Sequence, residues 1–113
     1  VPDTRAGAAP LRDLLSDRFQ TQPHLPAIHL AEPGAAGRWL SYGELGEAVA
    51  ETAAVLEALA LGPHARVGVM LPNGEAFVRT WLATIVLNVT MVPVNIHLVG
   101  EALRHVLISA ALD

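Results

Sequence analysis

Apolar residues recur along this chain in two rhythms, and the switches between them mark out its elements. In "LRDLLSDRF", Leu11, Leu14, Leu15 and Phe19 share one face at helical spacing, and the prolines of "TQPHLP" end that helix. "AIHLAE" is short and strand-like, "PGAAG" is turn material, and "RWLSY" supplies a hairpin partner. Leu45, Ala48, Val49, Thr52, Ala53, Leu56 and Leu59 then return to helical spacing, predicting an amphipathic helix over 42–60 that Gly62-Pro63 terminates. "RVGVML" is a nearly continuous apolar strand. A helix from Gly74 to Leu87 follows, apolar almost all round and therefore expected to be buried, with Asn73 as its N-cap and a Glu75–Arg79 pair on its wetter face. Asn88 suits a left-handed stop. "TMVPV" is the next strand, with Pro93 placed at a strand end or on an edge because it cannot donate to a ladder.

Strand, helix and strand within so short a span form a βαβ unit, which requires parallel pairing. Leu103, Val106, Leu107 and Ala111 mark one more helix from Glu101, and another strand is expected after it. The fold class is therefore α/β, a partial parallel sheet with flanking helices. Residues 1–10 read as a tail and residues 11–113 as an incomplete domain.

The stretch "WLSYGEL" carries the strongest local signal. Ser41 and Glu44 have the spacing of a capping box, in which the hydroxyl accepts a free N–H at the helix start and the carboxylate reaches back to the cap residue. Leu40 and Leu45 stand where a hydrophobic staple would fix the entry angle. This stretch encodes a helix start, and a nucleophile role for Ser41 has no histidine or acid at informative spacing to support it.

Composition narrows the function. The chain is 52% hydrophobic and only 16% charged, which suits elements covered on both faces and excludes disorder. A net charge of −4 leaves no basic surface to neutralise phosphates, so no nucleic-acid partner is expected. Thr80 to Gly100 lacks charge, but Asn88, Thr90, Pro93, Asn95 and His97 interrupt it, so no membrane span is expected. There is no cysteine and no lysine, which removes thiolate and lysine chemistry from these residues and permits a cytoplasmic setting. No glycine-rich phosphate cradle is present. His24, His29, His64, His97 and His105 do not have the spacing of metal ligands, so no metal site is expected. Asn88-Val89-Thr90 matches a glycosylation sequon, but it falls between a buried helix and a strand.

In order, "LSYGEL", "RVGVMLPNGEAFV", "WLATIVLNVTMVPVN" and "GEALRHVL" resemble the N-terminal portion of the AMP-forming acyl-CoA synthetases, within the adenylate-forming superfamily. Asn95 and "GEALRHVL" look more like the carboxylate–CoA ligases than like peptide-synthetase adenylation domains, which remain the alternative. The resemblance implies a two-step reaction. A carboxylate attacks ATP to give an acyl-adenylate, and the CoA thiol then displaces AMP, with Mg2+ assisting. It also implies that the phosphate loop, adenine motifs and catalytic lysine lie beyond position 113. No catalytic residue is assigned here, and the chain alone is expected to be inactive and to bind none of ATP, Mg2+ or CoA. His97, two residues after the Asn, takes the place of a basic residue near the CoA entrance and is the single candidate for a cofactor contact. Asn88 replaces a usual glycine, His64-Ala65 a usual Gly-Asp turn, and Val99 a capping Thr. Expected partners are the remainder of the synthetase chain or a second copy, through an uncovered sheet. A non-catalytic partner-binding module of the same ancestry is the rival reading.

Overall fold

Eight elements follow one another across residues 10–113, the residues described by the computed structural model. They are α1 (Leu11–Thr21), β1 (Pro26–Leu30), β2 (Arg38–Ser41), α2 (Tyr42–Glu57), β3 (Arg66–Val69), α3 (Glu75–Leu87), β4 (Thr90–Pro93) and α4 (Gly100–Ser109). The expected N-terminal tail lies outside the described residues except for Pro10. The chain divides into two compact units, Val1–Gly46 and Glu47–Asp113, with the boundary inside α2.

In the first unit β1 and β2 form the expected antiparallel hairpin, from Leu30↔Arg38 to Pro26↔Ser41, with an irregularity between Pro26 and Ile28. Its turn uses Gly34 and Gly37 at φ +77 and +70, values that L residues rarely adopt. His29 and Trp39 face each other across the hairpin with ring centroids 5.0 Å apart. The apolar stripe of α1 is only partly covered. Leu15 and Phe19 are half-buried, while Leu11 and Leu14 remain 55% and 51% exposed. Phe19 lies on the backbone of α2 at Gly46, where a Cβ would stand 2.9 Å from its Cγ.

The start of α2 has its backbone donors accounted for. The Tyr42 and Gly43 N–H groups donate to the carbonyls of Leu25 and Pro23, each at 2.9 Å. The Glu44 N–H donates to Ser41 Oγ at 3.1 Å, and the Ser41 N–H donates to Glu44 Oε1 at 3.1 Å. This is the expected capping box, and the staple residues Leu40 and Leu45 are both buried, at 5% and 3% exposure. Ser41→Ala is expected to cost about 0.5–2 kcal/mol in denaturant unfolding.

The same box makes an acid-sensitive element. The Ser41 backbone N–H, then its hydroxyl and then the Arg38 charge, hold the Glu44 carboxyl below its ordinary range. The native state therefore binds fewer protons there than the unfolded chain. Its contribution is complete above the ordinary glutamate range, about pH 4.3, and is lost as pH falls through the lowered native value. Glu44→Gln should flatten that acid limb of the stability profile, and an unchanged limb would contradict the assignment.

The second unit holds the larger core. Along α2, Val49 and Ala53 are buried. The helix stops at Glu57, short of the expected Ala60, because i→i−3 bonds from Leu59 to Leu56 and from Ala60 to Glu57 tighten the chain, and Ala60 turns left-handed at φ 54. β3 is also shorter than "RVGVML". It pairs parallel with β4 from Arg66↔Thr90 to Val69↔Pro93, so Pro93 does close its strand. Between the strands, α3 buries Leu82, Ala83 and Thr84, and the Thr84 hydroxyl donates to the Trp81 carbonyl at 2.6 Å. Trp81 itself is 46% exposed, so α3 is not buried all round. Asn73 does not cap this helix. Gly74 occupies the N-cap position and offers no side-chain bond. At the other end Asn88 takes the expected left-handed conformation, φ 58 and ψ 40.

Arg79 ties α3 to α2. Its Nε donates to Thr52 Oγ1 at 2.9 Å, and its Nη2 donates to the Ala48 carbonyl at 3.2 Å and to Glu51 Oε2 at 3.0 Å. After β4, α4 is preceded by its N-cap residue Val99, which is extended and, as its identity dictates, provides no cap bond. Beyond α4 the chain turns through Ala111 (φ 52) and returns to β3. The Asp113 N–H donates to the Arg66 carbonyl and the Arg66 N–H to Asp113 Oδ2, both at 2.9 Å. The residues expected to lead into another strand thus lie along the edge of β3 that β4 does not occupy.

Candidate functional site

β3 and β4 run in the same direction, so both deliver their following loops to one end of the small sheet. The loop after β3 enters α3, and the loop after β4 leads to α4. Between these loops lies a cleft of about 380 Å3. Leu71, Phe77 and Val94 supply apolar wall, and Asn73, Asn95 and His97 supply the polar groups. In open parallel sheets this end is where loops can converge on a ligand while the strands hold them rigidly.

His97 is placed here by its own loop. Asn95 Oδ1 accepts the His97 N–H at 2.9 Å, an Asx turn that folds the two residues back on each other. Val94, just before it, is buried, and its N–H donates to the Val69 carbonyl at 2.8 Å, so the loop leaves from an anchored point. The His97 side chain is exposed at the lip of the cleft. Within the same unit His64 sits in a left-handed turn whose N–H donates to the Asn88 carbonyl, and His105 is on the exposed face of α4, while in the first unit the His29 ring packs at a tilt on Trp39. Among the described residues, no three His, Asp or Glu side chains come together as a metal site.

Two other hollows lie at the opposite end of the strands. The larger, about 500 Å3, is bounded by the turn from Leu59 to Ala65 and by Asp113. A second of about 280 Å3 lies beside Leu56, Leu61, Leu87 and Val89. Their walls are mainly backbone turns and aliphatic side chains. Of these three, the cleft at the carboxyl ends is the better candidate, because it combines an aromatic, two amides and an imidazole. Sequence reasoning placed His97 near a cofactor entrance but missed Asn73 and Phe77 as its neighbours. The readable signal was that "PNG" follows one strand of a βαβ unit as "VNIH" follows the other.

A parallel βαβ layer with a cleft at its carboxyl ends defines an open α/β scaffold. The chain belongs to the AMP-binding enzyme family, whose model matches residues 15–112. It is an N-terminal portion of a member of that superfamily. Among solved structures it is similar to NpsA-ThdA, an artificially fused adenylation-PCP di-domain NRPS from Klebsiella oxytoca, at 25% identity and TM-score 0.77, covering 89% of this chain and 18% of that one. ATP-bound MatB from Rhodopseudomonas palustris is 27% identical with TM-score 0.72, covering 87% and 19%. The N-terminal subdomain of Klebsiella oxytoca NpsA shares the fold at 24% identity and TM-score 0.78, covering 93% and 26%. The chain thus spans about a quarter or less of the length of these solved relatives. No curated protein matches it. No helix among the described residues is long and apolar enough to cross a membrane.

Proposed function

We propose that these residues are the scaffold-forming part of an ATP-dependent, AMP-forming carboxylate–CoA ligase, and that they are inactive without the remainder of the synthetase chain. The observation that carries this reading is the family match over residues 15–112 on a chain without a lysine or a glycine-rich phosphate loop. Acyl-adenylate formation needs the triphosphate held and polarised while a carboxylate is aligned with the α-phosphorus. Among the described residues no cluster of His, Asp and Glu could hold Mg2+, so in this reading the ion, like ATP, would be bound by the remainder of the enzyme.

What this portion contributes is the layer beneath the site and the cleft at its carboxyl ends. The Asn95 turn presents the His97 imidazole, whose N–H donates to a phosphate of CoA. A peptide-synthetase-type adenylation domain is the second reading, favoured by the TM-score of 0.77 to NpsA-ThdA. A non-catalytic module would instead bind a protein partner through a sheet edge.

The test uses the 113-residue chain beside a protein in which it continues into its downstream sequence. The short chain is expected to show neither ATP binding nor ATP–pyrophosphate exchange with any carboxylate. The longer protein is expected to show exchange and then acyl-CoA. In that protein His97→Ala should raise KM for CoA roughly 2–10-fold, the loss of one ordinary hydrogen bond, and leave exchange unchanged. Exchange by the short chain would overturn the inactive-portion reading. Transfer only to a carrier protein, with none to free CoA, would replace the ligase by the second reading.

A further inference from the structure

The loop "PNG" between β3 and α3 contains a feature that the binding reading does not use. Asn73 is followed by glycine, both residues are exposed, and both lie in a bend outside any helix or strand. Nothing lies within 4 Å of the place a Cβ would take on Gly74, whose φ of 159 is extended. Among the described residues, neither the Asn73 amide nor the Gly74 N–H makes a hydrogen bond, and the helix start takes no side-chain cap from this loop. The side-chain carbonyl carbon of Asn73 and the nitrogen that can attack it are therefore both open to solvent and tied to no other group among the described residues.

We propose that Asn73 is a site of spontaneous deamidation through a succinimide, a chemical modification that places a carboxylate on the wall of the cleft. The Gly74 nitrogen attacks Asn73 Cγ. The N–Cγ bond forms, the Cγ–Nδ2 bond breaks, and ammonia leaves carrying the former amide proton. Water then adds to one of the two ring carbonyls. Opening one way leaves an ordinary aspartate in place of the asparagine. Opening the other way gives isoaspartate, which routes the backbone through Cβ and lengthens the loop. No oxidant, metal or further reactant is needed.

The chain supplies its own controls. Its other asparagines are Asn88 and Asn95, followed by Val89 and Ile96. A branched Cβ next to the attacking nitrogen crowds the ring closure that glycine permits. Asn88 is also fixed as the left-handed helix stop, and Asn95 Oδ1 is engaged by the His97 N–H. The negative charge gained at position 73 would face the cleft that holds His97 and would sit close to the N-terminus of α3. The proposal stands whether or not the protein is a ligase.

Trypsin, cutting at Arg66, Arg79 and Arg104, separates the sites, giving peptide 67–79 with Asn73 and peptide 80–104 with Asn88 and Asn95. The folded chain is incubated at mildly alkaline pH and sampled over time. Expected is an amide-to-acid mass gain with isoaspartate in 67–79 while 80–104 stays unmodified, and loss of that gain in Gly74→Ala. The synthetic 67–79 peptide, incubated in parallel, sets the rate for an unfolded segment. If the folded chain keeps Asn73 intact while the free peptide converts, or if 80–104 converts first, the proposal is overturned.

Discussion

Gly37→Ala is expected to destabilise the hairpin unit by about 2–5 kcal/mol, the sum of a left-handed backbone and an overpacked contact. Gly37 has φ +70, and a Cβ there would run into the backbone carbonyl oxygen of Leu30 and come within 3.1 Å of Ala31 Cα and His29 Nε2. Backbone cannot step aside as a flexible side chain can, so the turn must open or the β1–β2 register must shift. Gly34→Ala isolates the two contributions. Gly34 has φ +77 but nothing within 4 Å of its Cβ position, so its loss should be only about 1 kcal/mol. Denaturant midpoints for the two variants should therefore differ clearly. Equal losses would mean that the Leu30 contact does not matter. Loss of the His29–Trp39 ring pair, read from Trp fluorescence, should accompany Gly37→Ala alone.

The second large effect lies at the helix start. Leu45→Ala should cost about 2–5 kcal/mol, the range for emptying a buried leucine site. Leu45 is 3% exposed beside a capping box whose donors are all engaged, so the surrounding backbone has little freedom to collapse into the space. Leu59→Ala is the matched control. Leu59 is 62% exposed in the turn after α2, and its truncation should stay within about 0.5 kcal/mol of zero. Comparable losses at the two positions would mean that Leu45 is not a core residue of its unit.

Much of this architecture was legible because its signals are short in range. The capping box, the staple, the left-handed Asn88 and the strand-closing Pro93 each depend on dihedral preferences and side-chain reach within a few residues, and each stands where the pattern put it. The same locality explains the errors. Asn73 looked like a cap because its residue type suits one, but Gly74 occupies the cap position and turns Asn73 out into solvent. The apolar run of α3 looked buried throughout, although Trp81 stays nearly half exposed among the described residues. Leu59 kept helical spacing after the backbone had already closed into a turn.

The sequence by itself determined the order of elements, the parallel βαβ unit and the superfamily, since periodicity and motif order survive without coordinates. Tertiary structure alone decided where long-range partners fall. Arg79, read as an i, i+4 partner of Glu75, reaches Ala48, Glu51 and Thr52 on another helix. Asp113 returns 47 positions along the chain to cap the Arg66 N–H. His97 became part of a site only because parallel strands bring the loop after β4 beside the loop after β3. Such meetings depend on how the chain closes in space, which no local propensity encodes.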